Sequence, residues 1–354
     1  MKKFLCLMLM LAMLLPLGAA AQEAYTPSTR MDCDHAHCYW TTPMDITDTE
    51  AVWQMLMAPV TVVSGDQRSR VSLLDAPNGK AIGEITCYSQ SVHVLGEDEN
   101  GWTKVEIYSS SFNTSKTKAW NQLLQGYVQT ELLTEVTPYE HMGLVVDKLT
   151  QRLYVFVDGE LFTTLRVSTG LPNDKQRYNE TRSGEFFLVS QVGSFQDGRM
   201  VCEKAIRFND GDLLHQVPYN QSGSNKDYAR YENLLGERAS HGCIRVQRKR
   251  TAEGVNMAWL WNHYEKFTKI VIWEDWEGRT PPPVPEGTTV YYNPNGGKNY
   301  HASPACFGVD DKYEPMKPLS FEQLQDPEFS ALTPCIWCNP PEMPAAAETA
   351  AEDE

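Results

Sequence analysis

The residues best equipped for chemistry lie in Ala239-Ser240-His241-Gly242-Cys243-Ile244-Arg245-Val246, with Leu213-Leu214-His215 upstream. A cysteine attacks a carbonyl carbon as thiolate, so it needs a nearby histidine or another positive influence to release its proton. Two histidines are candidates. His241 is close in sequence, but two positions back along an extended segment it shares a face with Cys243 without having to reach the sulfur. His215, at the end of a separate strand, can approach from across the fold. Gly242 has no Cβ, so the backbone there can come close to a substrate carbonyl and turn neighbouring N–H groups into a cleft. The N–H groups of Gly242 and Cys243 are therefore oxyanion-hole candidates. Arg245, on the same face, offers paired donors to a substrate carboxylate or carbonyl, and the Ser240 hydroxyl and Gln216 are further candidates to contact substrate. The bland alternatives are an inert buried thiol for Cys243, a satisfied core histidine for His215 and a surface ion pair for Arg245.

Positioning these groups falls to a mainly β segment, 138–276. Leu144-Val-Val-Asp147 and Arg152-Leu-Tyr-Val-Phe-Val157 read as strands, and Asp158-Gly159 turns the second into Leu161–Val167 as a β-hairpin. Further strands are expected at Gly184–Val189 and Leu213–His215. Helical spacing appears only late, around Met257–Phe267. Ahead of this segment, 58–137 carries short alternating strands, Val60–Val63, Ile82–Thr86, Val92–Leu95, Trp102–Ile107 and Gly126-Tyr127-Val128. Turn signals at Ala76-Pro-Asn-Gly79 and Asn100-Gly101 separate them, a pattern that predicts a small β-barrel. Its aromatics Trp102, Tyr127 and Tyr88 are either core or a binding surface.

Ser240-His241-Gly242-Cys243 followed by Ile244-Arg245 closely resembles the signature of the L,D-transpeptidase, or YkuD, catalytic domain. Val146-Asp147, Gln151-Arg-Leu-Tyr154, Asp158-Gly159 and Val167-Ser-Thr-Gly170 stand in the family's order, and Thr181-Arg-Ser-Gly-Glu-Phe186 replaces a Thr-Pro-x-Gly-x-Phe strand. The resemblance implies that Cys243 is the acylated nucleophile and His215 the general base, its ring oriented by the backbone carbonyl of Gln216. It also implies a reaction: a wall tetrapeptide is cut, D-alanine is lost, and the acyl group passes from cysteine to an amine on a neighbouring stem. No cofactor is implied for that chemistry. The alternatives are an L,D-carboxypeptidase, with water as acceptor, and a non-catalytic wall-binding protein. Three departures stand out: Gln216 where glycine is frequent, Arg182 where proline is usual, and a long stretch from Pro218 to Arg238 that reads as a substrate-facing loop or lid. The 58–137 segment resembles the bacterial Src-homology-3-like module, which implies peptidoglycan binding.

Beyond a Pro-rich linker, 277–288, lies a Cys/His-rich module, 289–341. His301, Cys306, Cys335 and Cys338 supply a Cys₃His ligand set, and so short a domain with little apolar content needs a staple. Structural zinc is the expectation, with disulfides as the rival. The tail 342–354 is too acidic and too poor in large apolar residues to fold.

At the other end, 1–21 reads as a secretory signal peptide. Lys2 and Lys3 precede an apolar run from Phe4 to Leu17 and a small-residue exit at Ala19-Ala20-Ala21. An uncleaved anchor is the alternative, although the run falls short of the ~20 residues that span a bilayer. The expected product is an exported, cell-wall protein without stable membrane insertion, acting on peptidoglycan stems. Between 22 and 57 the chain looks irregular and carries Cys33, His35, His37 and Cys38, read as a polar loop, a disulfide or a metal site. A net charge of −15 argues against nucleic acid as a partner.

Overall fold

The structure, a computed structural model, describes residues 43–343 except 67, 97–99, 276–278, 282, 307, 310–314 and 339. The expected signal peptide, the Cys33–Cys38 cluster and the tail from 344 lie outside the described residues. Within them the chain is mainly β.

The segment 22–57 is not irregular to its end, because Thr49–Met57 forms helix α1. Asp48 caps it by accepting from the Ala51 N–H at 3.1 Å. Val52, Met55 and Leu56 recur at helical spacing and bury against Val145, Phe156, Val271 and Trp273. Each such side chain contributes about 1.5–3 kcal/mol through burial.

The first β unit contains β1 (Val60–Val63), β2 (Arg70–Leu74), β3 (Ala81–Thr86), β4 (Ser91–Val94), β5 (Trp102–Ser110), β6 (Trp120–Gln129) and β7 (Leu133–Val136). Its strand order is β3-β2-β6-β5-β4-β1-β7. Asn78, Asn100 and Gly101 take positive φ, as the turn chemistry requires. Val63, Leu73, Ile85, Val105, Ile107 and Val128 close on one core. Trp102, Tyr127 and Tyr88 are half-buried and stand outside that core cluster.

The second unit is built from β8 (Met142–Asp147), β9 (Arg152–Val157), β10 (Glu160–Ser168), β11 (Gly184–Leu188), β12 (Ser190–Asp197), β13 (Met200–Arg207), β14 (Leu213–Gln216), β15 (Tyr219–Ser222), β16 (Asn225–Asp227), β17 (Ile244–Val246) and β18 (Thr268–Trp273). The strand order is β11-β18-β8-β9-β10-β17-β14-β13-β15-β16, with β12 on β13. Asp158 and Gly159, at φ +48° and +93°, make the β9–β10 turn. The sheet buries Leu144, Val155, Val167, Leu214, Ile244 and Ile270 among others. Helix α3 (Met257–Asn262) is shorter than its sequence spacing suggests; Phe267, at φ +70°, turns the chain into β18 instead. The stretch 218–238 is not a bare loop either. It folds into the β15–β16 hairpin and the helical turn α2 (Ala229–Glu232).

The last unit orders β19 (Thr289–Tyr292), β20 (Asn299–His301), β21 (Lys317–Ser320) and β22 (Thr333–Pro334) as β21-β19-β20-β22. It docks through Arg152 to Glu342 at 2.6 Å, and Arg279 of the connecting segment pairs with Asp147 at 2.7 Å.

Candidate active site

Cys243 directly precedes β17, and β17 lies parallel to β14 in the register Leu214↔Ile244, His215↔Arg245. Side chains alternate along a strand. Leu214 and Ile244 therefore enter the core together, which leaves Cys243, Arg245 and His215 on the opposite face. Cys243 is half-buried, and the Leu213 backbone N–H favours its ionised form.

His215 is 2% exposed, and its Nδ1 lies 2.7 Å from the Gln216 carbonyl oxygen. A carbonyl only accepts, so Nδ1 carries the hydrogen and Nε2 keeps a lone pair. Burial holds this imidazole down at about 4, with the Arg245 guanidinium adding to the effect and the Gln216 contact opposing it. Burial pushes the Cys243 thiol up to about 12; the Asp212 carboxylate adds to that, while Arg245 and Arg182 oppose it. Both groups are consequently neutral at rest, a thiol and an imidazole rather than an ion pair.

The turn before the cysteine is fixed from within. Ser240 Oγ accepts from the Gly242 N–H at 3.2 Å and donates to the Cys243 carbonyl at 2.5 Å. The Ser240 hydroxyl is thus committed to the turn rather than open to substrate, and the Gly242 N–H is engaged inside it. Thr181 Oγ1 accepts from the Gly170 N–H at 2.8 Å and donates to the Gly242 carbonyl at 2.7 Å. Gly242 sits at φ +120°, where only glycine is comfortable. His241 is exposed, so of the two candidate histidines the buried one occupies the strand paired with β17, which follows Cys243.

Arg245 is 5% exposed and lies under Tyr231, 5.4 Å from its ring centroid. The Pro218–Arg238 stretch therefore covers the arginine with an aromatic face. Sequence reasoning missed Tyr231, and it missed Asp212 and Cys202, which both face the thiol electrostatically. No local pattern marks these residues, because they meet Cys243 only after the sheet has formed. Arg238, just ahead of the motif, binds the Gly170 carbonyl at 2.8 Å, Asp275 at 2.6 Å and Glu180 at 2.5 Å. Buried Lys148 lies among the same acids, 2.6 Å from Glu180 and 2.9 Å from Glu274, so an ammonium already serves that carboxylate cluster.

Residues 142–272 match the model of the YkuD family, the L,D-transpeptidase catalytic domain. The match begins with β8 and ends in β18. A candidate L,D-transpeptidase, YciB of Bacillus subtilis (strain 168), is 26% identical over 141 residues, covering 38% of this chain and 66% of that one. The chain thus spans just under two thirds of that relative. Among solved structures, the L,D-transpeptidase from Mycobacterium smegmatis is 15% identical and covers 52% of this chain and 100% of its own, with a TM-score of 0.30. That from Xylanimonas cellulosilytica DSM 15894 (residues 123–326) is 22% identical over 38% of this chain and 60% of its own, with a TM-score of 0.28. None of these likenesses assigns the first β unit to a family.

The remaining predicted ligands also converge. His301, Cys306, Cys335 and Cys338 bring their donor atoms within 4.8 Å of one another. Cys306 and Cys335 sulfurs are 3.8 Å apart, and Cys338 Sγ is 3.6 Å from His301 Nδ1. Among the described residues all six cysteines are free.

Proposed function

We propose that the protein is a peptidoglycan L,D-transpeptidase working through a Cys243 thioester. The observation that carries this reading is His215, bound through Nδ1 to the Gln216 carbonyl and placed on the same sheet face as Cys243. The family match over 142–272 supports it, and so does the export pattern of the first 21 residues, which would bring the chain to the wall.

In the first half-reaction His215 Nε2 takes the thiol proton while the sulfur attacks the carbonyl carbon ahead of the terminal D-alanine. The C–N bond breaks, D-alanine departs with the proton returned from His215, and the acyl group remains on sulfur. An amine from a neighbouring stem then attacks the thioester and gives its proton to His215, and the sulfur recovers it on leaving. Because thiol and imidazole are neutral at rest, proton transfer accompanies attack on a docked substrate. The Cys243 N–H serves the developing oxyanion, and Arg245 holds a substrate carboxylate or carbonyl. The Gln216 backbone positions the base, and Ser240 shapes the turn.

Intact-mass analysis of the protein and of Cys243→Ala after incubation with a tetrapeptide muropeptide tests the reading. A thioester adduct on the parent alone, with crosslinked dimers, is expected. Tripeptide without dimers would replace it by a carboxypeptidase, and no adduct or turnover would leave a wall-binding protein.

We further propose that the C-terminal module holds one structural zinc ion. Four donors at tetrahedral zinc, with bonds near 2.0–2.3 Å, stand roughly 3.5–3.8 Å apart, and the Cys306–Cys335 and Cys338–His301 separations of 3.8 Å and 3.6 Å fall at that spacing. Three thiolates and an imidazole suit zinc and would staple a module with a small core. Elemental mass spectrometry should find one zinc per chain and none in Cys335→Ser. A Cys306–Cys335 disulfide in the parent would overturn this.

A further inference from the structure

Arg182 occupies the position where the family resemblance leads one to expect proline, and its side chain is 0% exposed. Its Nη1 donates to Asp212 at 3.2 Å and 3.1 Å and to the carbonyls of Tyr178 and Glu180 at 3.1 Å and 2.8 Å. Its Nη2 donates to the carbonyl of Ser111 at 2.6 Å, just past the end of β5 in the first β unit. The guanidinium also lies 5.1 Å from the ring centroid of Phe112. One buried cation thus joins two β units.

Asp212, 1% exposed, is the other half of the arrangement. A Cβ on Gly242 would fall 2.4 Å from Asp212 Oδ1 and 3.4 Å from Arg182 Nη1, so the ion pair presses directly on the Gly242 Cα. Asn209 extends the network back to the first unit: its Nδ2 donates to Asp212 at 3.4 Å, and its Oδ1 accepts from Thr86 at 2.5 Å.

We propose that Arg182 and Asp212 are positioning residues for the acyl transfer, holding the Gly242–Cys243 turn and making the first β unit, through Ser111 and Phe112, part of the active-site scaffold. The proposal rests on the transpeptidase reading for its kinetic consequence, but not for its effect on the thiol. Removing either charge leaves its partner buried and uncompensated beside the sulfur. The charged and titratable groups acting on Cys243 are Asp212 just ahead of β14, Arg245 from β17, Cys202 and Arg207 from β13, and Arg182, with His215 on the same sheet face. Loss of the Asp212 charge leaves only cations and neutral groups there, so the thiol should ionise more readily.

The test compares the parent with Asp212→Asn, Arg182→Lys and Phe112→Ala. Iodoacetamide alkylation of Cys243 is followed against pH by peptide mass, and kcat and KM are measured separately on the muropeptide. In Asp212→Asn, alkylation at neutral pH should rise about tenfold, equivalent to about one pH unit, while kcat falls at least tenfold with KM within twofold. Arg182→Lys, which keeps the charge but loses the fork, should keep the alkylation profile and lose several-fold in kcat. A folded Asp212→Asn with profile and kcat both within twofold of the parent overturns the proposal. If that variant does not fold, Phe112→Ala decides: a drop in kcat of threefold or more at constant KM supports the scaffold role, and unchanged kinetics overturn it. A parent that alkylates at Cys243 but turns over no muropeptide sinks the transpeptidase reading alone, and the alkylation profiles still decide the pair.

Discussion

His215 and Arg245 are register partners across the parallel pair β14–β17, a buried imidazole directly opposite a buried guanidinium. Burial, with the cation adding to it, keeps the ring neutral, and a neutral ring is what the proposed general-base role requires. NMR titration of the ring protons should place His215 near 4, far below an ordinary histidine. In Arg245→Gln the midpoint should rise, because one of the two influences that lower it is gone. A parent midpoint between 6 and 7 would contradict the assignment.

The same group makes stability depend on pH. His215 has a folded-state value near 4 against about 6.5 unfolded. Between those values the unfolded chain binds the proton and the folded chain does not, so the protein loses stability as pH falls through that window. Full exposure to it costs about 3 kcal/mol at 1.36 kcal/mol per unit. Chemical denaturation of the parent and of His215→Gln at pH 7 and pH 4 should show a smaller acid loss in the variant.

Gly242→Ala meets two penalties. Its φ of +120° disfavours any Cβ, and that Cβ would lie 2.4 Å from Asp212 Oδ1. A stability loss of about 1–3 kcal/mol is expected from the backbone alone. Activity should fall further than stability, by tenfold or more at temperatures where the variant is fully folded. Circular dichroism melts beside muropeptide kinetics would separate the two.

Lys148→Met should be among the most destabilising single changes in the second β unit. The ammonium is fully buried and sits within 4 Å of Glu180, Glu274 and Asp275, which together hold it charged. Without it three carboxylates remain crowded in a dry pocket, at a cost of about 3–5 kcal/mol. The denaturation midpoint reads this directly, and a shift under 1 kcal/mol would show that Arg238 alone neutralises the cluster.

How much of this was legible in the chain depends on the range of each interaction. The Asp158-Gly159 turn, the strand of Leu213–His215 and the Ser240–Arg245 stretch are local patterns, and each could be read from neighbours in sequence. Helix α1 also left a trace in the spacing of Val52, Met55 and Leu56, but it was hidden behind the more conspicuous cysteines of the same segment. Asp212 offers no such trace. An acidic residue between Gly211 and Leu213 reads as a turn, and nothing nearby shows that Arg182 will neutralise it or that Gly242 will rest on it. Ser240 misleads for the opposite reason: its motif suggests an exposed hydroxyl, and the tightness of the turn consumes both of its bonds.

Helix α1 precedes the first β unit in sequence, yet it packs on β8, β9 and β18 of the second. The first unit is therefore threaded into the second fold between two of its pieces, rather than strung ahead of it like a bead. A fragment begun at residue 138 would bare Val145, Phe156, Val271 and Trp273 to water. Exchanging the first unit for another module would require splicing at both junctions, after Met57 and before Met142, rather than a single cut.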